Sequence, residues 1–251
     1  MNIPVSKKPR IVIIGGGFAG IALAKKLKNT YYQVVLLDKH NYHTFQPLLY
    51  QVATGGLEAG SIAYPIRKVI QGCDDFYFRL TSVKDIDTEN QKIISEIGDL
   101  HYDYLVIATG SKTNYFGNKE IERNVMAMKT IPQSLNIRSL ILENFEQAVL
   151  TKDITKKNRL INFVLVGGGP TGVELAGALA EMKKAILQKD YPDLDIDKME
   201  INLIQGADRL LDSMSKKSSQ EAEEFLVNLG VKVWKDVRVT NYDGQTITTS
   251  S

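Results

Sequence analysis

Short runs of β-branched and aliphatic residues alternate along this chain with longer segments in which apolar residues recur at helical spacing. The runs predict strands at residues 11–14, 32–37, 76–78, 82–86, 92–96, 104–108, 163–166, 200–204 and 231–233. Helical spacing predicts helices at 131–151, 173–188 and 215–229, the last closed by Gly230 as a C-terminal cap. Strands that alternate with helices are typical of α/β chains with parallel sheets.

The middle of the first half departs from this alternation. Three short predicted strands follow one another between residues 76 and 96, and a Thr88-Glu89-Asn90 turn separates the last two. Short strands joined by tight turns pair in antiparallel fashion. We therefore expect an antiparallel β-meander inserted into a parallel sheet.

Two glycine-rich turns of nearly the same design interrupt the pattern, one at residues 15–20 and one at 167–172. Shifting the chain by 152 residues (167 minus 15) superimposes the glycines and the helical leucines and alanines that follow them. Each turn joins a predicted strand to a predicted helix, which is the context of a dinucleotide-binding G-x-G-x-x-G sequence. The repeated unit predicts two dinucleotides, one feeding the other.

Each glycine in such a turn has a mechanical reason. One allows the sharp change from strand to helix, one lets the backbone approach a pyrophosphate, and one lets the helix pack closely on the strand. The pyrophosphate then lies on the free N–H groups at the positive end of the helix. Asp38 ends the strand that follows the first turn, 18 residues past Gly20, where an acid binds a ribose hydroxyl. The alternative is an aspartate that only ends a strand.

Composition narrows the function further. With 251 residues and 43% hydrophobic content the chain can bury a sizeable core, and the repeat favours two units with a boundary near Gly117, at 1–117 and 118–251. A net charge of +2 does not indicate a nucleic-acid partner. A single cysteine, Cys73, excludes an intrachain disulfide and a C-x-x-C pair, and the three histidines show no metal-ligand spacing. No apolar run is long enough to span a bilayer, and the N-terminus does not look like a signal peptide.

Three further segments carry a resemblance to a known family. They are Ala108-Thr109-Gly110, the stretch Asn41-Tyr42-His43-Thr44-Phe45-Gln46-Pro47-Leu48-Leu49-Tyr50-Gln51-Val52-Ala53-Thr54-Gly55, and Ala63-Tyr64-Pro65-Ile66-Arg67. Together with both glycine turns, they resemble type II NADH dehydrogenases over nearly the whole chain. These flavoproteins pass electrons from NADH through FAD to a membrane quinone. The resemblance implies two Rossmann-like dinucleotide-binding units and a non-proton-pumping respiratory-chain oxidoreductase.

The resemblance also implies which residues hold the cofactors. FAD would bind the first unit through Gly15, Gly17, Phe18, Ala19, Gly20, Asp38, Lys39, Val83, Ala108, Thr109 and Gly110. NADH would bind the second through Gly167, Gly169, Pro170, Thr171, Gly172 and Gln205. Two residues, Glu174 and Gln46, would act at the reacting ends of the cofactors and at the quinone entrance. No metal is implied.

Glu174 occupies the place that Ala22 holds in the first unit. In the family, a glutamate here lies near flavin and nicotinamide and helps to couple NADH oxidation to quinone protonation. The alternative is a glutamate that is favourable near any helix N-terminus. Tyr42, Phe45, Leu48, Leu49 and Tyr50 would form an apolar wall suited to a quinone ring, or an ordinary core helix.

Gln205 stands where family members often have glutamate, which accepts a bond from the ribose 2′-hydroxyl and repels a 2′-phosphate. A neutral amide can accept that bond but does not repel the phosphate, and Arg209 is close in sequence, so NADPH use stays open beside NADH. Two other functions also stay open. One is a non-catalytic dinucleotide-binding module, and the other is a related flavoprotein that reduces a small redox protein or oxidises sulfide.

The family continues beyond the residues present here into another strand, a segment that closes over FAD, and amphipathic helices that bind the membrane. The chain therefore resembles an N-terminal portion, which we expect to bind flavin weakly and not to associate with lipid vesicles. In the complete protein we expect a cytoplasmic enzyme held peripherally on the inner face of the cell membrane. A homodimer is left open.

Overall fold

The computed structural model describes residues 1–250 as an alternation of strands and helices. The strands are β1 (Arg10–Ile14), β2 (Gln33–Asp38), β3 (Tyr42–Thr44), β4 (Ala63–Pro65), β5 (Phe76–Leu80), β6 (Val83–Asp87), β7 (Lys92–Ser95), β8 (Leu100–His101), β9 (Tyr104–Ile107), β10 (Asn162–Val166), β11 (Glu200–Ile204), β12 (Lys232–Trp234), β13 (Val239–Tyr242) and β14 (Ile247–Thr249). The α-helices are α1 (Phe18–Lys26), α2 (Leu49–Ala53), α3 (Ile66–Val69), α4 (Lys119–Asn124), α5 (Ile131–Leu150), α6 (Ile154–Leu160), α7 (Pro170–Met182), α8 (Gln188–Asp190) and α9 (Lys216–Asn228). Short 3₁₀ turns cover Gln46–Leu48, Ala59–Ile62 and Ile196–Lys198.

The chain divides into two compact units. The first contains Met1–Phe45 and Gly60–Lys112, and the second contains Gln46–Ala59 together with the chain from Thr113 onward. The segment 46–59 thus joins the second unit although it lies early in the sequence, because α2 packs against α5 and α7. The boundary that the sequence predicts near Gly117 stays a prediction.

The first unit is built on a parallel sheet of four strands in the order β5-β2-β1-β9. Ile13 at its centre pairs with Leu36 on one side and Val106 on the other. Between β5 and β9 the chain forms a separate antiparallel sheet, β6-β7-β8. The parallel sheet and an inserted antiparallel meander are therefore confirmed, but the prediction for residues 76–78 was wrong: β5 pairs parallel with β2, and the third strand of the meander is β8.

The two central strands are apolar at nearly every position because a parallel sheet is covered on both faces. Alternate residues enter two different cores. Ile13 and Leu36 pack with residues of α1, α3 and β5, whereas Val12 and Val35 pack with Ile93 of the meander. The continuous apolar runs at 11–14 and 34–37 follow directly from this two-sided burial.

The second unit has a three-stranded parallel sheet in the order β10-β11-β12, followed by the antiparallel hairpin β13-β14. Its core joins this sheet to α5, α7 and α9 through buried side chains such as Phe145, Leu179, Leu203 and Leu226. The expected α/β fold with two Rossmann-like units is thus confirmed. Within residues 1–250, no helix has the length and apolar character needed to cross a bilayer.

One predicted helix and one predicted connection also differ in the structure. The helix expected at 173–188 begins earlier, at Pro170, and changes at Lys183–Leu187 into a π-helical turn. Residues 118–123, expected as an exposed connection, form the short exposed helix α4, because the Asn118 side chain accepts hydrogen bonds from the N–H groups of Glu120 and Ile121.

Candidate functional site: two glycine turns

The first glycine turn lies between β1 and α1. Gly15 has φ +107°, a left-handed conformation that favours glycine, and its N–H donates to Leu37 O at 2.8 Å. Gly20 packs directly on the turn, since a Cβ atom there would lie 1.8 Å from Gly15 O. Gly17 is the N-cap of α1, so the N–H groups of Phe18 and Ala19, which are exposed, have no partner within the helix. These donors are available to an anion.

The second turn, between β10 and α7, repeats the main backbone contacts of the first. Gly167 has φ +110° and donates its N–H to Ile204 O at 2.8 Å. A Cβ atom on Gly172 would lie 2.0 Å from Gly167 O. Pro170 occupies the first helical position, where its missing N–H costs nothing, and Thr171 beside it is exposed. The internal repeat seen in the sequence is therefore also a repeat of structure.

Gly17 and Gly169 differ from the other glycines of the turns because neither needs to be glycine for the fold. Both have negative φ, −76° and −75°, and a Cβ atom on either would meet no protein atom within 4 Å. The space beside each backbone is open next to a helix N-terminus. This cradle fits a pyrophosphate, which needs close approach to the backbone and free N–H donors.

The middle glycine of each turn was not assigned a role by the sequence motif, yet it is buried and tightly held. The Gly16 N–H donates to Asp38 Oδ2 at 2.5 Å, and the Gly168 N–H donates to Gln205 Oε1 at 2.9 Å. A Cβ atom on Gly16 would lie 2.5 Å from Ile66 Cδ1, and one on Gly168 would lie 2.5 Å from Leu210 Cδ2. The run of three glycines in both copies was the available signal.

Asp38 thus supports the turn as well as standing at the expected ribose position. Its Oδ1 accepts from the His40 N–H at 2.7 Å, and each carboxylate oxygen keeps a further lone pair for a ligand. Lys39 beside it is exposed. The Thr81 N–H donates to Asp38 O at 2.9 Å, so the chain that leads to half-buried Val83 runs alongside.

The strand end at Ala108 lies at the same edge of the first sheet as the glycine turn. Its N–H donates to Ile14 O at 2.8 Å, and a Cβ atom on Gly15 would lie 2.3 Å from Ala108 O. Thr109 and Gly110 follow as exposed residues, and Gly110 has φ +69°. The structure therefore brings the predicted residues of the first unit, apart from Val83 at the start of β6, to the carboxyl ends of neighbouring strands β2, β1 and β9.

The two predicted catalytic residues lie in the second unit. Gln46 is exposed in the 3₁₀ turn before α2, and α2 packs on α7, the helix that carries Glu174. Glu174 is also exposed overall, but partial burial of its carboxyl raises its pKa above the ordinary glutamate value. A carboxyl with a raised pKa is easier to protonate at a given pH, which suits a proton-transfer role.

The predicted aromatic wall divides in the structure. Tyr42 and Phe45 belong to the first unit, where Phe45 is 45% exposed. Leu48, Leu49 and Tyr50 belong to the second, and Leu49 is buried as a core residue. The core-helix interpretation therefore holds for Leu49.

The Arg209 side chain is held within its own loop. Its guanidinium donates to Asp212 O at 2.5 Å and to Met214 O at 3.2 Å, which holds it on the loop after β11. A different cation, Arg238, lies over the end of β11, with its Cγ 3.2 Å from where a Cβ atom on Gly206 would be. The sequence gave no indication that Arg238 would lie at this place.

Comparison with known proteins identifies a family. Residues 9–250 match the family model described as "Pyridine nucleotide-disulphide oxidoreductase". The chain is 38% identical to the type II NADH:quinone oxidoreductase Ndh of Mycobacterium tuberculosis over 96% of its own length and 53% of that protein. It is 34% identical to the mitochondrial external alternative NAD(P)H-ubiquinone oxidoreductase B3 of Arabidopsis thaliana, covering 91% of this chain and 41% of that one.

A solved structure gives the same result. The structure of NDH2 from Plasmodium falciparum in complex with NADH matches with a TM-score of 0.90 and 27% identity, over 98% of this chain and 51% of that one. The chain thus spans about half the length of the curated relatives it matches. These findings confirm the resemblance that the motifs indicated.

Proposed function

The chain belongs to the pyridine nucleotide-disulphide oxidoreductase family, and we propose that it forms the two nucleotide-binding units of an FAD-dependent NADH:quinone oxidoreductase. The observation that carries the proposal is the structural repeat of the glycine turns, each with an open cradle beside a helix N-terminus. The relatives named as NADH:quinone and NAD(P)H-ubiquinone oxidoreductases support it.

We assign FAD to the first unit and NADH to the second. Gly17, Phe18 and Ala19 would hold the FAD pyrophosphate through the backbone, while Asp38 would accept from the adenosine ribose. Gly169 and Thr171 would hold the NADH pyrophosphate in the same manner, with Gln205 at its ribose. The matched geometry of the two turns supports one dinucleotide in each unit, and the resemblance to the family supports FAD in the first and NADH in the second.

FAD, when bound, would take a hydride from NADH and pass the electrons on to a quinone. The chain itself would supply position and exclusion of water, since such a transfer depends on holding two reacting atoms in contact. Glu174 would hold or release a proton near the reacting ends, in keeping with its raised pKa. Gln46 would line the approach to the flavin.

We further propose a membrane quinone as the acceptor and a peripheral position on the inner face of the cell membrane for the complete protein. A homodimer is compatible with this arrangement. The names of the relatives support a quinone as the electron acceptor. The resemblance to the family supports contact with the membrane through a C-terminal segment.

The test is flavin binding and its reduction. Titration with the purified chain should shift the absorbance band of FAD, and in the presence of the chain NADH should bleach this band without oxygen and a soluble quinone analogue should restore it. Binding of NADH without any flavin would favour the non-catalytic module. Bleaching that only a redox protein reverses would favour a flavoprotein with a protein acceptor.

A further inference from the structure

The two glycine turns differ in the partner of the middle glycine's carbonyl. In the second unit, Gly168 O accepts the backbone N–H of Leu211 at 2.8 Å. In the first unit, Gly16 O contacts a side chain instead, His43 Nδ1, at 3.1 Å. Because a carbonyl oxygen can only accept, Nδ1 must carry the hydrogen.

His43 lies where it can fix the turn. It belongs to β3, which pairs with β4, and Tyr64 is its partner in the register. Its ring meets the Phe18 ring edge-on, with centroids 4.9 Å apart, and Phe18 in turn contacts Phe45 at 5.6 Å. The imidazole therefore bridges the glycine turn and the first residue of α1.

The consequence concerns the orientation of the turn's free donors. The Gly16 N–H is held by Asp38 and its carbonyl by His43, so both peptide planes that flank this residue are fixed. The second of those planes leads into Gly17, the residue beside the open cradle. Donors that are aimed before the ligand arrives bind it more tightly, because less ordering is needed on binding.

We propose that His43 is a positioning residue for the flavin dinucleotide, one that replaces in the first unit the backbone contact that Leu211 makes in the second. The inference rests on the proposed function, which places FAD on the first unit. His43 touches the turn through Gly16 O and acts on the pyrophosphate only through the backbone.

Three variants separate the hydrogen bond from the ring. His43→Phe keeps an aromatic edge against Phe18 but removes the donor. His43→Asn removes the ring but keeps an N–H close to the place of Nδ1. His101→Phe is the matched control, because its Nδ1 also contacts a backbone carbonyl, Asn90 O at 3.2 Å, on the meander.

The measurements are the dissociation constant of FAD by flavin fluorescence, that of NADH by protein fluorescence, and the melting temperature of the chain without cofactors. His43→Phe should weaken FAD binding by about fivefold to tenfold, as expected for one lost hydrogen bond. His43→Asn and His101→Phe should stay within about twofold of the parent. NADH binding should be unchanged in all three.

The outcomes distinguish the inference from the function beneath it. Parent-like FAD affinity in His43→Phe, or equal losses in the Phe and Asn variants, overturns the positioning role and leaves the proposed function intact. A loss of FAD that is matched by a fall in melting temperature and in NADH affinity shows a structural role only, and also overturns it. A parent chain that binds NADH but no FAD contradicts the proposed function itself.

Discussion

Valine at Gly17 or at Gly169 should remove one nucleotide and spare the other. Both glycines have negative φ and no protein atom within 4 Å of a Cβ position, so valine fits the folded chain. Valine is a poorer N-cap than glycine by about 1 kcal/mol. It also reduces the freedom of the unfolded chain, which offsets about 0.4–1 kcal/mol of that loss. The melting temperature should therefore move by no more than about 4 °C.

The effect on the ligand should be much larger. The valine side chain would occupy the space that a pyrophosphate needs in order to reach the helix N–H groups. Loss of two hydrogen bonds to a charged group costs about 3–6 kcal/mol in binding, which is at least about a 100-fold weaker complex. Gly17→Val should lose FAD and keep NADH, whereas Gly169→Val should lose NADH and keep FAD.

Titration of both variants with both nucleotides, beside thermal unfolding, makes the check. Gly20→Ala is the structural control, since its Cβ would lie 1.8 Å from Gly15 O and should lower the melting temperature clearly. If Gly17→Val retains FAD at parent affinity, the first turn does not hold a flavin pyrophosphate. If each variant loses both nucleotides while remaining folded, the assignment of one nucleotide to each unit is wrong.

Three further predictions concern the second unit. Glu174→Ala should leave FAD bound but slow turnover with quinone in steady-state assays. Single-turnover and steady-state rates equal to those of the parent would show that Glu174 is only a charge near the end of a helix. Gln205→Glu should lower kcat/KM for NADPH relative to NADH, because the new carboxylate repels the 2′-phosphate, and the effect should shrink as the salt concentration rises. An unchanged ratio of the two kcat/KM values would show that this position does not contact the ribose. Ser134→Ala should raise the melting temperature, because the Ser134 hydroxyl is fully buried and finds no hydrogen-bond partner among residues 1–250. The expected gain is about 1 kcal/mol, and a lower melting temperature would indicate that the hydroxyl has a partner.

Structural elements formed by residues close together in the chain were predictable from the sequence. The strand, glycine turn and helix of each unit follow from apolar runs, a left-handed position at Gly15 or Gly167, and helical spacing afterwards. All three are encoded in short stretches of sequence. Their repetition along the chain was therefore enough to predict two parallel-sheet units. The sites' open cradles were predictable for the same reason.

What the tertiary structure alone decided lies in contacts between distant residues. His43 reaches Gly16 O across 27 residues, and Gln205 reaches the Gly168 N–H across 37. The assignment of segment 46–59 to the second unit likewise depends on packing, because α2 contacts α5 and α7. Periodicity records which face of an element is buried but not which partner covers it. The sequence by itself therefore determined the two glycine turns, while only the folded chain determined what holds each turn in place.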